Sequence, residues 1–240
     1  MATPKDIALL GLRDDWLAQV HEPVLDPARE IIDAHHHFWN RDGAAYELDQ
    51  LWADTQSGHN IRQTVFIECH SGYDLGGPEE LKPVGETRYV AALAAKAMLR
   101  PERAQIGGII AFADLRNPDL DRVLAAHEAA GQSLFRGIRQ PGAYGIDPAL
   151  MIAGRGQAGL YGDPDFRRGL ARLGDHGLSF DTWMHHPRLP EFLDLARAVP
   201  QTTLVLDHFG TPLGVGQFAG THQDYFPIWQ DLMTQLAACP

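Results

Sequence analysis

The chemistry in this sequence begins with three consecutive histidines. Asp33-Ala-His35-His36-His37 follows Ile31-Ile32 and precedes Phe38, a run that reads as a strand. Side chains alternate across a strand, so Asp33, His35 and His37 share one face and His36 takes the other. Two imidazoles one pleat apart can grip one divalent metal from the same side, and neutral imidazole suits zinc. The competing reading is a set of histidines hydrogen-bonded in a polar strand mouth without metal. The chain holds 12 histidines, unevenly spread. His185 and His186 end one apolar run, where one of the two must face inward, and His208 ends another. With His35 and His37 they make four histidines at strand ends that could converge.

Other polar residues sit at comparable places. Glu68 and His70 close a second apolar run, Asp114 a third, Arg136 and Arg139 a fourth, and Asp207 precedes His208. Arg136 and Arg139 are three apart, so a regular strand cannot point both inward, and Gly137 is a place where the register could break. Arg139 offers a planar fork for a carboxylate or a carbonyl. Its alternative is an ion pair, with Asp114 or Glu128 as the partner. Glu68 suits the mouth of a site or a buried pair with an arginine. Glu86 opens a helix, where its charge is favoured by the helix N-terminus. Trp39, Trp52, Tyr73 and Trp183 line a pocket or fill the core.

The elements that must position these residues alternate in type. Residues 29–38, 61–69, 105–113, 134–139, 178–186 and 202–208 read as strands. Residues 85–99, 118–130, 190–199 and 225–238 read as helices, and Asp163-Pro164 opens another that Gly174 or Gly177 closes. Such alternation predicts a parallel sheet with helical crossovers. No G-x-G-x-x-G follows the first strand, which removes the main support for a dinucleotide-binding open sheet. Polar residues at every strand end favour a (β/α)8 barrel, whose chemistry sits at that face. Six strands are fewer than the eight of a barrel, so the expected fold is an α/β (β/α)8 barrel lacking its last one or two βα units, in a shortened form of a longer chain. Residues 1–30 read as an N-terminal arm and 31–240 as the barrel domain. The arm or a second subunit would then cover the open sheet edge, which leaves room for a homo-oligomer.

Composition narrows the partners. In 240 residues there are 20 Lys and Arg against 31 Asp and Glu, a net charge of −11. Scattered basic residues in an acidic chain argue against nucleic acid and anionic membranes. No apolar run approaches the ~18 residues of a membrane span. Cys69 and Cys239 are the only cysteines, too few for a disulfide framework, so a cytoplasmic protein with a small-molecule substrate is expected.

Asp33-Ala-His-His-His-Phe-Trp39 resembles the first-strand motif of the amidohydrolase superfamily, in the amidohydrolase-related branch of lactonases and decarboxylases. Thr64-Val-Phe-Ile-Glu68-Cys-His, Pro83-Val-Gly-Glu-Thr87, Phe135-Arg-Gly-Ile-Arg139 and Leu204-Val-Leu-Asp-His208-Phe-Gly210 agree with the same branch. The resemblance runs from about Trp16 onward. It implies a (β/α)8 barrel that hydrolyses substrates or cleaves C–C bonds at its C-terminal mouth. It makes His35 and His37 the first-strand metal pair, with zinc or another divalent ion in some members and none in others. His186 matches the fifth-strand histidine and His208 the sixth, as catalytic residues; Arg139 and Glu68, from their own chemistry, are the candidates for substrate binding. The acidic residue of the family's eighth strand, which handles the proton of the attacking water, has no counterpart before Pro240.

The expected activity is therefore opening of a small lactone or related cyclic ester. A metal-dependent non-oxidative decarboxylase on the same scaffold is the alternative within the enzyme class. An incomplete barrel that binds a ligand or partner without turnover is the alternative outside it.

Overall fold

A computed structural model of the protein describes residues 14–41, 44–145 and 156–240. Its strands are β1 (Glu30–His36), β2 (Trp39–Arg41), β3 (Ala44–Tyr46), β4 (Asn60–Ile67), β5 (Gln105–Ala111), β6 (Phe135–Arg139), β7 (Ser179–Thr182) and β8 (Leu204–Leu206). Its helices are α1 (Asp14–Leu17), α2 (Leu48–Thr55), α3 (Val84–Ala97), α4 (Leu120–Gly131), α5 (Pro164–Asp175), α6 (Leu189–Ala198) and α7 (His222–Leu236). Six strands form one sheet in the order β1-β4-β5-β6-β7-β8, and β2 pairs with β3 in a separate antiparallel hairpin. Sequential parallel strands with intervening helices are the (β/α)8-barrel class, with six of its strands among the described residues. No helix among the described residues is long and apolar enough to cross a membrane.

The chain divides into two compact units, residues 1–109 with 127–135 and residues 110–126 with 136–240. The first has a core of Phe38, Leu51, Phe66, Val90, Leu93 and Ile109. Here β1 and β4 are parallel, with register shifts after Ile31 and between Asp33 and His36. The hairpin and α2 fall in a stretch where three-residue strands leave no periodicity to read. Trp39 stacks on Tyr46 across the hairpin, and Trp52 of α2 donates its indole N–H to the Ala104 carbonyl.

The second unit is built around Phe166, Leu170, Leu173, Ile138 and Phe180, all fully buried. Its α5 starts as the Asp-Pro signal implies: the Asp163 carboxylate accepts the Asp165 N–H at 2.8 Å, and Pro164 fills the first turn. Strand β7 is shorter than the run 178–186. It ends at Thr182, because the chain turns into a short 3-10 helix at His186–Arg188 and the His186 N–H goes to the Thr211 carbonyl. Gly137 does not break the register. It pairs with Ser179 in an unshifted ladder, and a Cβ there would lie 2.3 Å from the Ser179 hydroxyl oxygen. Glycine is therefore required for close approach, while Arg136 is exposed and Arg139 buried.

Candidate active site

The described site residues fall into two groups, one in each unit. In the first unit, β1 and the residue that follows it deliver His35 and His37 with their rings edge-to-face, centroids 4.9 Å apart. The His35 N–H is held by the Asp33 carboxylate at 3.2 Å. The Nδ1 of His37 lies 2.8 Å from the Ile67 carbonyl oxygen. A carbonyl can only accept, so Nδ1 carries the proton and Nε2 is the lone-pair nitrogen of neutral His37. A backbone-held Nδ1–H is how metal-ligating histidines are commonly oriented. His36 packs on Phe38 and Phe66 at 4.6 and 5.9 Å. Burial, then the neighbouring His37, push its pKa down to about 4. His35 and His37, both half-buried, form a pair. Among the described residues no three His, Cys, Asp or Glu side chains gather into a metal site.

Beyond β4 the chain brings up Glu68, whose side chain is wholly buried, with Oε2 3.4 Å from Nε2 of His70. Glu86, in the first turn of α3, is also buried and accepts the N–H groups of Ser71 and Cys69 at 2.6 and 3.1 Å. Burial, with the charge of Glu68 adding to it, raises its pKa to about 8 against those two bonds. Glu86 read from sequence as a helix-end charge. Its role here depends on a loop fifteen residues earlier, for which local sequence carries no signal.

In the second unit Arg139 is paired, though with neither Asp114 nor Glu128. Its Nε donates to Oδ2 of Asp207 at 2.7 Å, both side chains being buried. Asp114 instead binds Arg116. Asp181 sits opposite Arg139 in the β6–β7 register and accepts the Ser179 hydroxyl at 3.1 Å. Burial first, and Asp207 next, push Asp181 up to about 7. A lone carboxylate between Phe180 and Thr182 in an apolar strand was the available signal for this residue.

His186 is buried and its Nδ1 accepts the Leu213 N–H at 3.1 Å, so the neutral ring carries its proton on Nε2. The ring packs on Tyr225 and Phe218 and lines a cavity of about 260 Å³ with Trp229. His185 is buried too, edge-on to Trp183 at 4.9 Å. Burial lowers the pKa of both. The alternation that put His208 on the face of Leu204 and Leu206 fails. The strand ends at Leu206, and His208 has a left-handed backbone, φ +52°, with its side chain exposed while Asp207 is buried.

Residues 32–240 match the family model described as amidohydrolase. The chain belongs to the amidohydrolase family. An uncharacterized protein of Sinorhizobium fredii is 28% identical over 233 residues, covering 88% of this chain and 70% of that protein. Among solved structures, an amidohydrolase from Burkholderia multivorans with bound zinc superposes with a TM-score of 0.65 at 22% identity, over 87% of this chain and 66% of the other. An amidohydrolase 2 from Bifidobacterium longum subsp. infantis gives a TM-score of 0.50 at 20% identity, over 88% and 70%. The chain thus spans 66 to 70% of the lengths of these family members. The structural likenesses speak for the fold.

Proposed function

We propose that this protein is a hydrolase that opens a small lactone or related cyclic ester. The observation that carries the reading is His37, whose Nδ1–H is bound to the Ile67 carbonyl, so that its Nε2 is the nitrogen able to act as a metal ligand, with its ring beside that of His35. These two residues would hold a divalent ion, with zinc as the first choice because the Burkholderia multivorans family member binds it. Such an ion, when bound, polarises a carbonyl. The pair fits two places of a coordination shell. The other roles follow from what the side chains can donate. His186 presents an Nε2 proton that suits an oxyanion or a leaving alkoxide. Arg139 is paired with Asp207, and a guanidinium fork suits a substrate carboxylate or carbonyl. Glu68 is buried beside His70, and His208 lies exposed in the turn after β8.

The test is a panel of small lactones offered to zinc-supplemented protein, with products separated by chromatography. A ring-opened hydroxy acid supports the reading. Release of CO2 from a carboxylate substrate would move the protein to the decarboxylases. No turnover on any substrate, with tight ligand binding, would leave a binding protein.

A further inference from the structure

The turn after β8 is strained at three non-glycine residues. His208, Phe209 and Thr211 have left-handed backbones, at φ +52°, +54° and +42°, which such residues adopt only where their surroundings force it. Two tryptophans and a histidine do so. The Trp229 indole N–H is donated to the Phe209 carbonyl at 2.9 Å, and the Trp183 indole N–H to the Thr211 hydroxyl at 2.8 Å. His186 gives its backbone N–H to the Thr211 carbonyl at 3.4 Å and takes the Leu213 N–H on Nδ1 at 3.1 Å. Beside this turn lies the cavity of about 260 Å³ between the start of α6 and α7. His186 and Trp229 line it, so two of the residues that fix the turn are also walls of the cavity. The other walls are rich in carbon. Phe218 and Tyr225 pack on the His186 ring at 5.1 and 4.3 Å, and Ile228 and Leu232 follow along α7. None of the described residues lining the cavity is charged. An apolar cavity of about 150 Å³ takes benzene, so this one has room for a phenyl ring or an alkyl chain of up to about ten carbons.

We propose that this cavity is a specificity site for an apolar arm of the substrate, and that the substrate is a lactone alkylated or arylated on the carbon that bears the ring oxygen. This rests on the lactone-opening reading. His186 has two roles in it. Its Nε2 proton suits the ring oxygen, and its ring is a wall of the cavity. An arm on the carbon next to that oxygen starts two bonds from it, and so enters the cavity while the oxygen meets Nε2. An arm next to the carbonyl starts a bond further away, on the other side of the ring. Charged or polyhydroxylated substituents are disfavoured, because these walls cannot replace the water they would lose. Asp207, the partner of Arg139, begins the strained turn, so the cavity and the polar residues of this unit share one fixed segment. That segment is held by the protein's own hydrogen bonds. The cavity therefore needs little ordering on binding, and the apolar surface it takes from water goes into affinity.

Two sets of measurements test this separately from the lactone reading. The first needs no turnover. 1-Phenylethanol and 1-hexanol carry an apolar arm and a hydroxyl but no ester. Titrated into nitrogen-15-labelled protein, each should shift the His186 ring and Trp229 indole signals saturably, and glycerol should not. Leu232→Trp, which fills the cavity, should weaken that binding by about tenfold or more. Leu232→Ala, which widens it and serves where the larger residue does not fold, should move the preference from 1-hexanol toward 1-octanol. No saturable shift in the native protein, or binding unchanged in both variants, overturns the site. A dimer that covers Ile228 and Trp229 and excludes the alcohols assigns this face to a second copy and also overturns it. The second set uses γ-butyrolactones that differ only in the γ substituent. Their kcat/KM should rise about fourfold per methylene until the cavity is full. The γ-hexyl to γ-methyl ratio of kcat/KM should fall by about tenfold or more in Leu232→Trp. A flat series in a protein that opens γ-butyrolactones overturns the proposal. Failure of the native protein on every lactone would refute the lactone reading instead, and the alcohol titration would still decide whether the cavity is an apolar site.

Discussion

Replacing Asp181 by asparagine should stabilise the protein at pH 8 and do almost nothing at pH 4. Two buried carboxylates, Asp181 and Asp207, lie in the field of the Arg139 guanidinium, which is bound to Asp207. Burial first, and then the charge of Asp207, raise the Asp181 pKa from 3.8 to about 7 against the opposing Ser179 hydroxyl and Arg139. The folded pKa lies above the unfolded one, so the folded state holds the proton more tightly. The Asp181 contribution is complete below about pH 4 and is lost as pH rises to about 7. At about 1.4 kcal/mol per pH unit the loss amounts to roughly 4 kcal/mol as an upper figure. Asparagine keeps an oxygen for the Ser179 hydroxyl and removes the charge. Urea unfolding of both proteins at pH 4, 5, 6, 7 and 8 would show the difference as a gap in midpoint that opens with pH. Glu86 contributes a parallel loss toward its value of about 8, and His36, lowered to about 4, an opposing gain between about pH 4 and 6.5. Both are common to the two proteins and cancel in the comparison. A gap that is constant with pH, or an asparagine variant less stable at pH 8, would refute the argument.

Three further outcomes are expected. Arg139→Met leaves Asp181 and Asp207 buried without their cation and should cost about 3–5 kcal/mol at pH 8, read by urea unfolding. Adding Asp207→Asn to it should recover part of that loss. Gly85→Ala pushes a methyl against two backbone atoms at 2.6 Å and should destabilise by about 1–3 kcal/mol in thermal unfolding. Protein purified from zinc-supplemented culture should lose its bound metal in the His35→Ala/His37→Ala double variant, measured by elemental analysis, whereas His36→Phe should retain it.

The six parallel strands were legible because buried β-branched runs alternate with helical ones, and that pattern survives errors of a few residues at each end. The pairing of His35 with His37, and the packing of His36 against Phe38 and Phe66, matches simple alternation even though the β1–β4 register shifts between Asp33 and His36. Alternation failed at His208 for a physical reason. It holds only while the backbone stays extended, and beyond Leu206 the chain enters a turn with positive φ at His208 and Phe209. The same limit applies at His70, where a left-handed residue redirects a side chain that strand counting would place opposite its neighbours.

Charges inside the sheet pose a different problem. Arg139 and Asp181 are each odd residues in an apolar strand, yet neither reveals its partner, because the parallel register that sets Arg139 beside Asp181 is specified by crossover packing and not by either strand. Once that register is known, the burial of Asp181 beside Arg139 follows, and with it the raised Asp181 pKa and the sign of its pH dependence. Glu86 follows the same logic. Its place in the first turn of α3 is local information and accounts for a favourable helix-end charge. Its burial against Cys69 and Ser71 comes from a loop on the far side of the turn between β4 and α3, and that contact converts a helix-end charge into the clamp on His70.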